Sequence, residues 1–417
     1  MMGKLVSIAL KPVLGQCGRE VWAGAQRRIG QVHYLETMNA RYGGRLAVVL
    51  AGGLWLSAAA WAVAGSASAA DFFSPPQVLS WKVQIGDSAL AALAQEPKVY
   101  VKATLEDGRR TLADIGIRYK GRQLLGKPGP KPSFTLKFNE FVPGQRLGGV
   151  SKVILDASHD DPTYLTALLA NELHRAAGVP APRTAFVHLT INGKDLGLYV
   201  LVEGMNKDFL AQYFERTKGN LYEGDGCDIT GKLDKDSGDS FKDQPDVDAL
   251  AQAALEANPA ARWAKLQKVL DVDRFVSFMA VEVLAWQTNG YSMGTNKYRL
   301  YHDLSTDRML FMPHGCEPGF GAADGPLVPT VAGVVARAVL QCPEGKKLYQ
   351  ERMAKLLATV FKPQELQTRV DTLASQIRPV LAKSHPAAVP QFEAAVAQLR
   401  EQFGRRAYVL EQALRSP

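Results

Sequence analysis

The sequence predicts an α+β fold with a small antiparallel β-rich N-lobe and a larger, mainly helical C-lobe. Three observations carry this expectation. Residues Trp81 to Phe138 alternate apolar and polar positions with period two between turn residues. Residues Thr330 to Leu414 keep a helical apolar pattern almost throughout. Between these regions, Lys297–Asp303 and Arg308–Met312 form a hairpin pattern around Leu304-Ser-Thr-Asp307. A hairpin returns the chain to its starting edge, so the polar segments at its ends, Gln287–Asn296 and Met312–Gly321, are expected side by side.

The elements follow in chain order. Val99–Leu105 and Ala113–Tyr119 flank the turn Glu106-Asp-Gly108, and Ser133–Phe138 alternates in the manner of a half-buried strand. Pro162–Ala177 reads as an amphipathic helix behind the acidic pair Asp160-Asp161. Thr184–Ile191 and Leu196–Glu203 make a hairpin around Asn192-Gly193, whose dipeptide favours the tight turn.

Residues 223–248 are acidic, Gly-rich and poor in apolar side chains, and are expected to form a solvated loop. The run Asp234–Asp239 lacks the glycine order and the closing Glu of a calcium-binding loop. Helices are expected at 247–256, 260–270 and 271–287, the last apolar on most faces. Pro363, Pro379 and the stretch Pro386–Pro390 should break the C-terminal helical region. No internal repeats are found.

Composition narrows the function classes. The 417 residues are 47% hydrophobic and 22% charged, as in ordinary globular proteins, and leave room for two or three lobes. Residues 1–45 hold a net charge of +5 out of the total +8, and 46–70 are uncharged. Residues 71–417 are thus nearly balanced, which argues against nucleic acid as a partner.

Arg41 and Arg45, the charge-free run Leu46–Ala64 and the string Ala67-Ser-Ala69 have the layout of an export signal. Measured from Met38 its proportions are normal. An uncleaved signal anchor is the alternative, since the apolar run is long enough to span a bilayer; membrane attachment is expected only through that segment. The organisation is therefore 1–70 N-terminal extension plus signal peptide or anchor, 71–180 β-rich N-lobe with the first helix, and 181–417 helical C-lobe. The protein is expected outside the cytoplasm, periplasmic or extracellular. Of the four cysteines, Cys227, Cys316 and Cys342 follow the signal; one pair could form a disulfide, with Cys316 and Cys342 closest in sequence.

Gly121-Arg-Gln-Leu-Leu-Gly126-Lys127 has P-loop spacing, but Pro128 replaces the required Ser or Thr, and Pro130 and Pro132 forbid the helix that would follow. His314 and Cys316, with His302 on the adjoining strand, are candidate transition-metal ligands, although no paired spacing supports them.

From about Trp81 onward the chain resembles the CotH kinase-like family. The matching pieces are Ile117-Arg-Tyr-Lys-Gly121, Lys131-Pro-Ser-Phe-Thr-Leu-Lys-Phe-Asn139, Asp161-Pro-Thr-Tyr-Leu165, Gly178-Val-Pro-Ala-Pro-Arg183, Ile191-Asn-Gly193, Gly197–Glu203 and Asn296-Lys-Tyr-Arg-Leu-Tyr301. The resemblance implies an atypical protein-kinase-like fold that transfers phosphoryl from ATP, with magnesium or manganese, to Ser or Thr on a secreted or envelope protein. It further implies Lys131 or Lys137 as the cation near the phosphates, oriented by Glu203; the alternative is that both lysines lie on a solvent face. Asn289 stands where the family pattern has the catalytic Asp. His314-Gly-Cys-Glu317 replaces a Trp-Asp-x-Asp string, leaving Asn296 and Glu317 for the metal.

A neutral amide cannot accept a proton near neutral pH and is a poor ligand for a hard cation. Transfer by the usual route is therefore expected to be weak or lost. Asp303 and Asp307 sit in the hairpin turn, away from the site. A kinase-derived scaffold serving only as a binding or structural module of the cell envelope is the alternative function, because sites rather than folds carry activity.

Overall fold

The computed structural model describes residues 72–73, 78–121, 124–127, 129, 131–239, 242–317 and 319–415. The export signal, its cleavage motif and Cys17 lie outside the described residues. Among those described, no helix is long and apolar enough to cross a membrane.

The fold is mixed α/β. Its first part runs β1 (Val78–Gln84), α1 (Asp87–Gln95), β2 (Val101–Glu106), β3 (Thr111–Lys120), β4 (Ser133–Lys137), β5 (Lys152–Asp156), α2 (Thr166–Ala176), β6 (Thr184–Ile191) and β7 (Lys194–Glu203). The seven strands close into a barrel in the order β1-β2-β3-β4-β5-β7-β6. All pairings are antiparallel except β1 with β6, where Val78 lies opposite Phe186 and Val83 opposite Ile191 in parallel register. Closure removes the exposed edges of an open sheet.

This corrects two expectations. The small antiparallel sheet expected near the N-terminus is a closed barrel with one parallel pairing, and the hairpin β6–β7, expected beyond residue 180 in the helical part, supplies two of its staves. Period two explains the wall. Ile115, Ile117 and Tyr119 of β3, with Phe134 and Leu136 of β4 and Val153 and Leu155 of β5, are buried inside. Alternate residues, namely Arg118, Lys120, Lys152, Ile154 and Asp156, therefore fall on the outer face.

The chain continues through α3 (Lys207–Leu210), β8 (Leu221–Gly224), β9 (Asp234–Ser237), α4 (Pro245–Ala254), α5 (Pro259–Val269), α6 (Val272–Leu284) and α7 (Tyr291–Gly294). It then forms β10 (Tyr298–Asp303), β11 (Arg308–Pro313), α8 (Val334–Gln341), α9 (Pro343–Thr359), α10 (Pro363–Ser384) and α11 (Val389–Arg415). A four-stranded sheet, ordered β11-β10-β8-β9, sits within this helical part.

Part of the acidic segment expected as a solvated loop is thus the strand pair β8–β9. Its carboxylates are matched by a cation from the next strand, with Arg299 of β10 paired to Glu223 at 3.1 Å and also to Asp236. Helix α6 is buried over nearly its whole length, as its all-round apolar pattern requires, and Asp271 caps it by accepting from the Arg274 N–H at 3.1 Å. Pro363 opens α10, where its missing N–H costs nothing. Pro379, expected to end a helix, is instead carried inside α10.

Candidate functional site

The hairpin β10–β11 holds its two flanking loops together as anticipated. Tyr298 lies opposite Pro313, and the His314 N–H donates to the Lys297 carbonyl at 3.0 Å. Asn289, from the loop after α6, and Gly315 and Glu317, from the loop after β11, line one cavity of about 630 Å3. Its other wall is the outer face of the barrel, including Arg118, Lys120 and Asp156. A deeper recess of about 40 Å3 adjoins it, lined by Lys152, Glu203, Arg299 and Cys316 among others.

The loop bearing Asn289 is built by Glu282, a fully buried carboxylate on α6. Its two oxygens accept from the Tyr291 N–H at 2.7 Å and the Ser292 N–H at 2.9 Å, the first amides of α7. Burial pushes the Glu282 pKa up to about 7, against the pull of those donors. A Cβ at Gly290 would lie 2.1 Å from a Glu282 oxygen, which is why glycine stands there. Trp286, Thr295 and Lys297 adopt positive φ of 45°, 49° and 49° around the same loop, an unfavourable conformation that side chains accept only where surrounding contacts impose it.

Asn289 accepts from the Asn296 Nδ2 at 2.8 Å. The Asn296 oxygen accepts in turn from the Gly226 N–H at 2.6 Å and the Lys297 N–H at 2.9 Å. Asn296 therefore positions Asn289, and its oxygen is committed to backbone donors rather than left for a metal. Glu317 is desolvated, which with Asp156 nearby raises its pKa to about 7 despite Lys120. Asp156 pairs with Lys120 at 3.3 Å. Burial works to raise the Asp156 pKa, but Lys120 and the Ser158 N–H together outweigh it and hold the carboxyl below its ordinary range. His314 donates to Glu223 at 3.1 Å, and this bond keeps the Glu223 pKa down at about 2, while burial lowers His314 to about 4.

Three expected roles are not met. Lys137 pairs with Glu140 at 2.6 Å, outside the cleft. Lys131 is half-buried, with its ammonium 4.4 Å from the Tyr199 ring centroid; it donates to the Leu198 carbonyl, and desolvation lowers its pKa to about 8. It does not line the cavity. Glu203 orients neither lysine; it binds Arg183, through Nε at 3.0 Å and the terminal nitrogen at 2.7 Å. Arginine's fork matches a carboxylate better than an ammonium does.

Lys120, Lys152, Asp156, Glu223 and Arg299 were not singled out from the sequence. Their signal was charge at outward positions of otherwise apolar strands.

The transition-metal expectation also fails. His302 is bound to Asp246 at 3.3 Å and Asp307 at 2.9 Å, apart from His314 and its Glu223 partner. Cys316 contacts Asn171, and Cys227, Cys316 and Cys342 are all free thiols, so no disulfide joins them. Among the described residues no helix lies between Gly121 and β4 in the P-loop look-alike; they run through turns.

A magnesium ion held by carboxylates is poorly matched here. Among the described residues, no group of three or more His, Cys, Asp or Glu side chains converges to hold a metal. Asp156, Glu223 and Asp225 are each neutralised by a protein cation. The cavity itself, at about 630 Å3, lies within the usual range of small-ligand sites.

Residues 117–410 match the family model described as CotH kinase protein. The inner spore coat protein H of Bacillus subtilis is 22% identical over 67% of this chain and 80% of its own length. Invasin CotH2 of Rhizopus delemar is 26% identical over 56% of this chain, and invasin CotH3 of the same organism 24% identical over 53%. The matched part spans under half of each invasin, 45% and 43%. Among solved structures, the HipA, HipB and operator DNA complex of Shewanella oneidensis aligns with a TM-score of 0.36 at 12% identity, over 81% of this chain and 74% of that one. The Helicobacter pylori proinflammatory kinase CtkA aligns with a TM-score of 0.30 at 8% identity, over 70% and 97%.

Proposed function

The chain belongs to the CotH kinase protein family, and from that premise we propose that it is an exported, kinase-like protein that binds ATP but transfers phosphoryl weakly or not at all. The observation that carries this is the composition of the cleft. A barrel wall bearing the Lys120–Asp156 pair faces a loop whose central side chain is the neutral Asn289. Phosphoryl transfer requires a carboxylate to orient the attacking hydroxyl and cationic stabilisation of the moving charge. Asn289 cannot take the first role, and Glu317, with its pKa near 7, would be only partly ionised as a ligand for a cation that took the second. The names of the relatives, a spore coat protein and invasins, support a place outside the cytoplasm.

The test is paired. The purified chain is incubated with labelled ATP and magnesium or manganese beside a family member that retains the Asp, and its thermal transition is recorded with and without ATP. The expected result is no labelled product, together with a raised transition temperature, because a ligand that binds only the native state stabilises it. Incorporation at the relative's rate would make the chain an active kinase. No thermal response to ATP would leave an adhesive or structural envelope protein.

A further inference from the structure

Arg406 of α11 is a buried cation whose partners are carbonyls and a ring rather than a carboxylate. Only 3% of the residue is exposed. Its terminal nitrogens donate to the carbonyls of Val283 at 2.6 Å, Ala323 at 3.5 Å and Gly325, and the guanidinium carbon lies 4.7 Å from the Trp286 ring centroid. Burial lowers its pKa, but only to about 10, so the side chain is charged at neutral pH. Its Nε has no acceptor. A buried charge so incompletely matched is costly, which directs attention to what it holds.

The partners belong to two segments. Val283 is in the last turn of α6, where the closing carbonyls have no partner within the helix and form the negative end of its dipole. Trp286 comes next, at φ 45°, three residues before Asn289. Ala323 and Gly325 belong to the other segment, which leaves the cleft after Glu317. On the way, the Phe320 N–H donates to the Ala285 carbonyl at 2.5 Å, and its ring meets Phe403 of α11 at 5.2 Å. Gly325 lies so close to the Trp286 ring that a Cβ there would come within 2.3 Å of it. The hairpin β10–β11 thus joins the two cleft loops at one end, and Arg406 with Trp286 joins them at the other.

We infer that Arg406 is a positioning residue: from outside the cavity it fixes the spacing between the Asn289 loop and the Glu317 loop, and so sets the affinity of the cleft for its ligand. This rests on the nucleotide reading above and adds the C-terminal helix to the construction of the site. The planar guanidinium reaches several carbonyls while its face lies on the indole; a lysine ammonium is a point charge and cannot do both.

The experiment compares the full chain with Arg406→Met, Arg406→Lys and Arg378→Ala, by hydrogen exchange without ligand and by calorimetric titration with ATP and magnesium. Arg378 pairs with Glu393 between α10 and α11, so its loss removes a tie of α11 that does not touch the loops. In Arg406→Met, exchange should quicken in 286–292 and 319–325 while 115–119 and 153–155 in the barrel keep the parent's rate. ATP should bind that variant about tenfold more weakly, a coupling of the size found between linked sites. Arg406→Lys should fall between Arg406→Met and the parent on both readouts, and Arg378→Ala should match the parent.

Parental loop exchange or parental ATP affinity in a folded Arg406→Met would overturn the inference. Exchange that quickens equally throughout the chain would also overturn it, by making Arg406 a general stabiliser. If Arg406→Met does not fold, Arg406→Lys decides by the same two readouts. A parent that binds no ATP would overturn the nucleotide reading alone; the exchange arm then judges Arg406, with local quickening in both loops upholding its positioning role and its absence overturning it.

Discussion

Glu282 offers a prediction whose size can be worked from the structure. Its carboxylate is buried, holds the first two amides of α7, and titrates near 7 rather than 4.5. The folded pKa is raised above the unfolded one, so the proton is bound more tightly in the native state. The stabilisation from that proton is complete below about pH 4.5 and is lost as pH rises through 7. Over the two and a half pKa units from 4.5 to about 7, at about 1.4 kcal/mol each, the loss is about 3 kcal/mol.

Glu282→Gln removes the titration. It also leaves one of two buried N–H groups poorly accepted, at about 1–3 kcal/mol. Urea unfolding of both proteins at pH 5 and pH 8 isolates the effect. The variant should be clearly less stable than the parent at pH 5, and the gap should narrow by about 3 kcal/mol or less at pH 8. A gap that stays constant or widens with pH would refute the account of Glu282 as a desolvated carboxylate.

Further outcomes follow from the same geometry. Arg299→Ala leaves Glu223 and Asp236 without their shared cation and should cost about 3 kcal/mol in chemical unfolding. Gly315 sits at φ +75°, so Gly315→Ala should cost about 1 kcal/mol; for the same reason, restoring a carboxylate there strains the loop that it is meant to repair. Of Cys227, Cys316 and Cys342, only Cys227 is partly exposed, and it should react fastest with a thiol reagent in the native protein. A reducing agent should leave the melting temperature unchanged, whereas a fall would reveal a disulfide.

The site's frame was legible where its cause is local. Period two in 297–312 announced β10 and β11, and the turn between them required the two polar loops to meet. The Asn192-Gly193 turn and the all-round apolar pattern of α6 were equally direct. Barrel closure was not legible, because it depends on a parallel pairing of residues 78–83 with 186–191, over a hundred positions apart.

Strand β5 was missed for a similar reason. Its five residues, Lys152-Val-Ile-Leu-Asp156, are too few to display a period clearly, yet they carry two side chains of the cleft. Glu203 was assigned a lysine because acids and bases at large separation pair by geometry alone, and only the fold shows Arg183 within reach. The acidic run around Asp236 looked like a loop until Arg299 from β10 was seen to neutralise it.

The central claim is that the space between the barrel wall and the β10–β11 loops is the nucleotide site. Hydrogen exchange of the full chain with and without ATP tests it most directly, because bound ligand slows local opening. The account predicts protection confined to segments around 118–121, 152–158, 287–298 and 313–317. Protection elsewhere, with those four segments unchanged at saturating ATP, would contradict it.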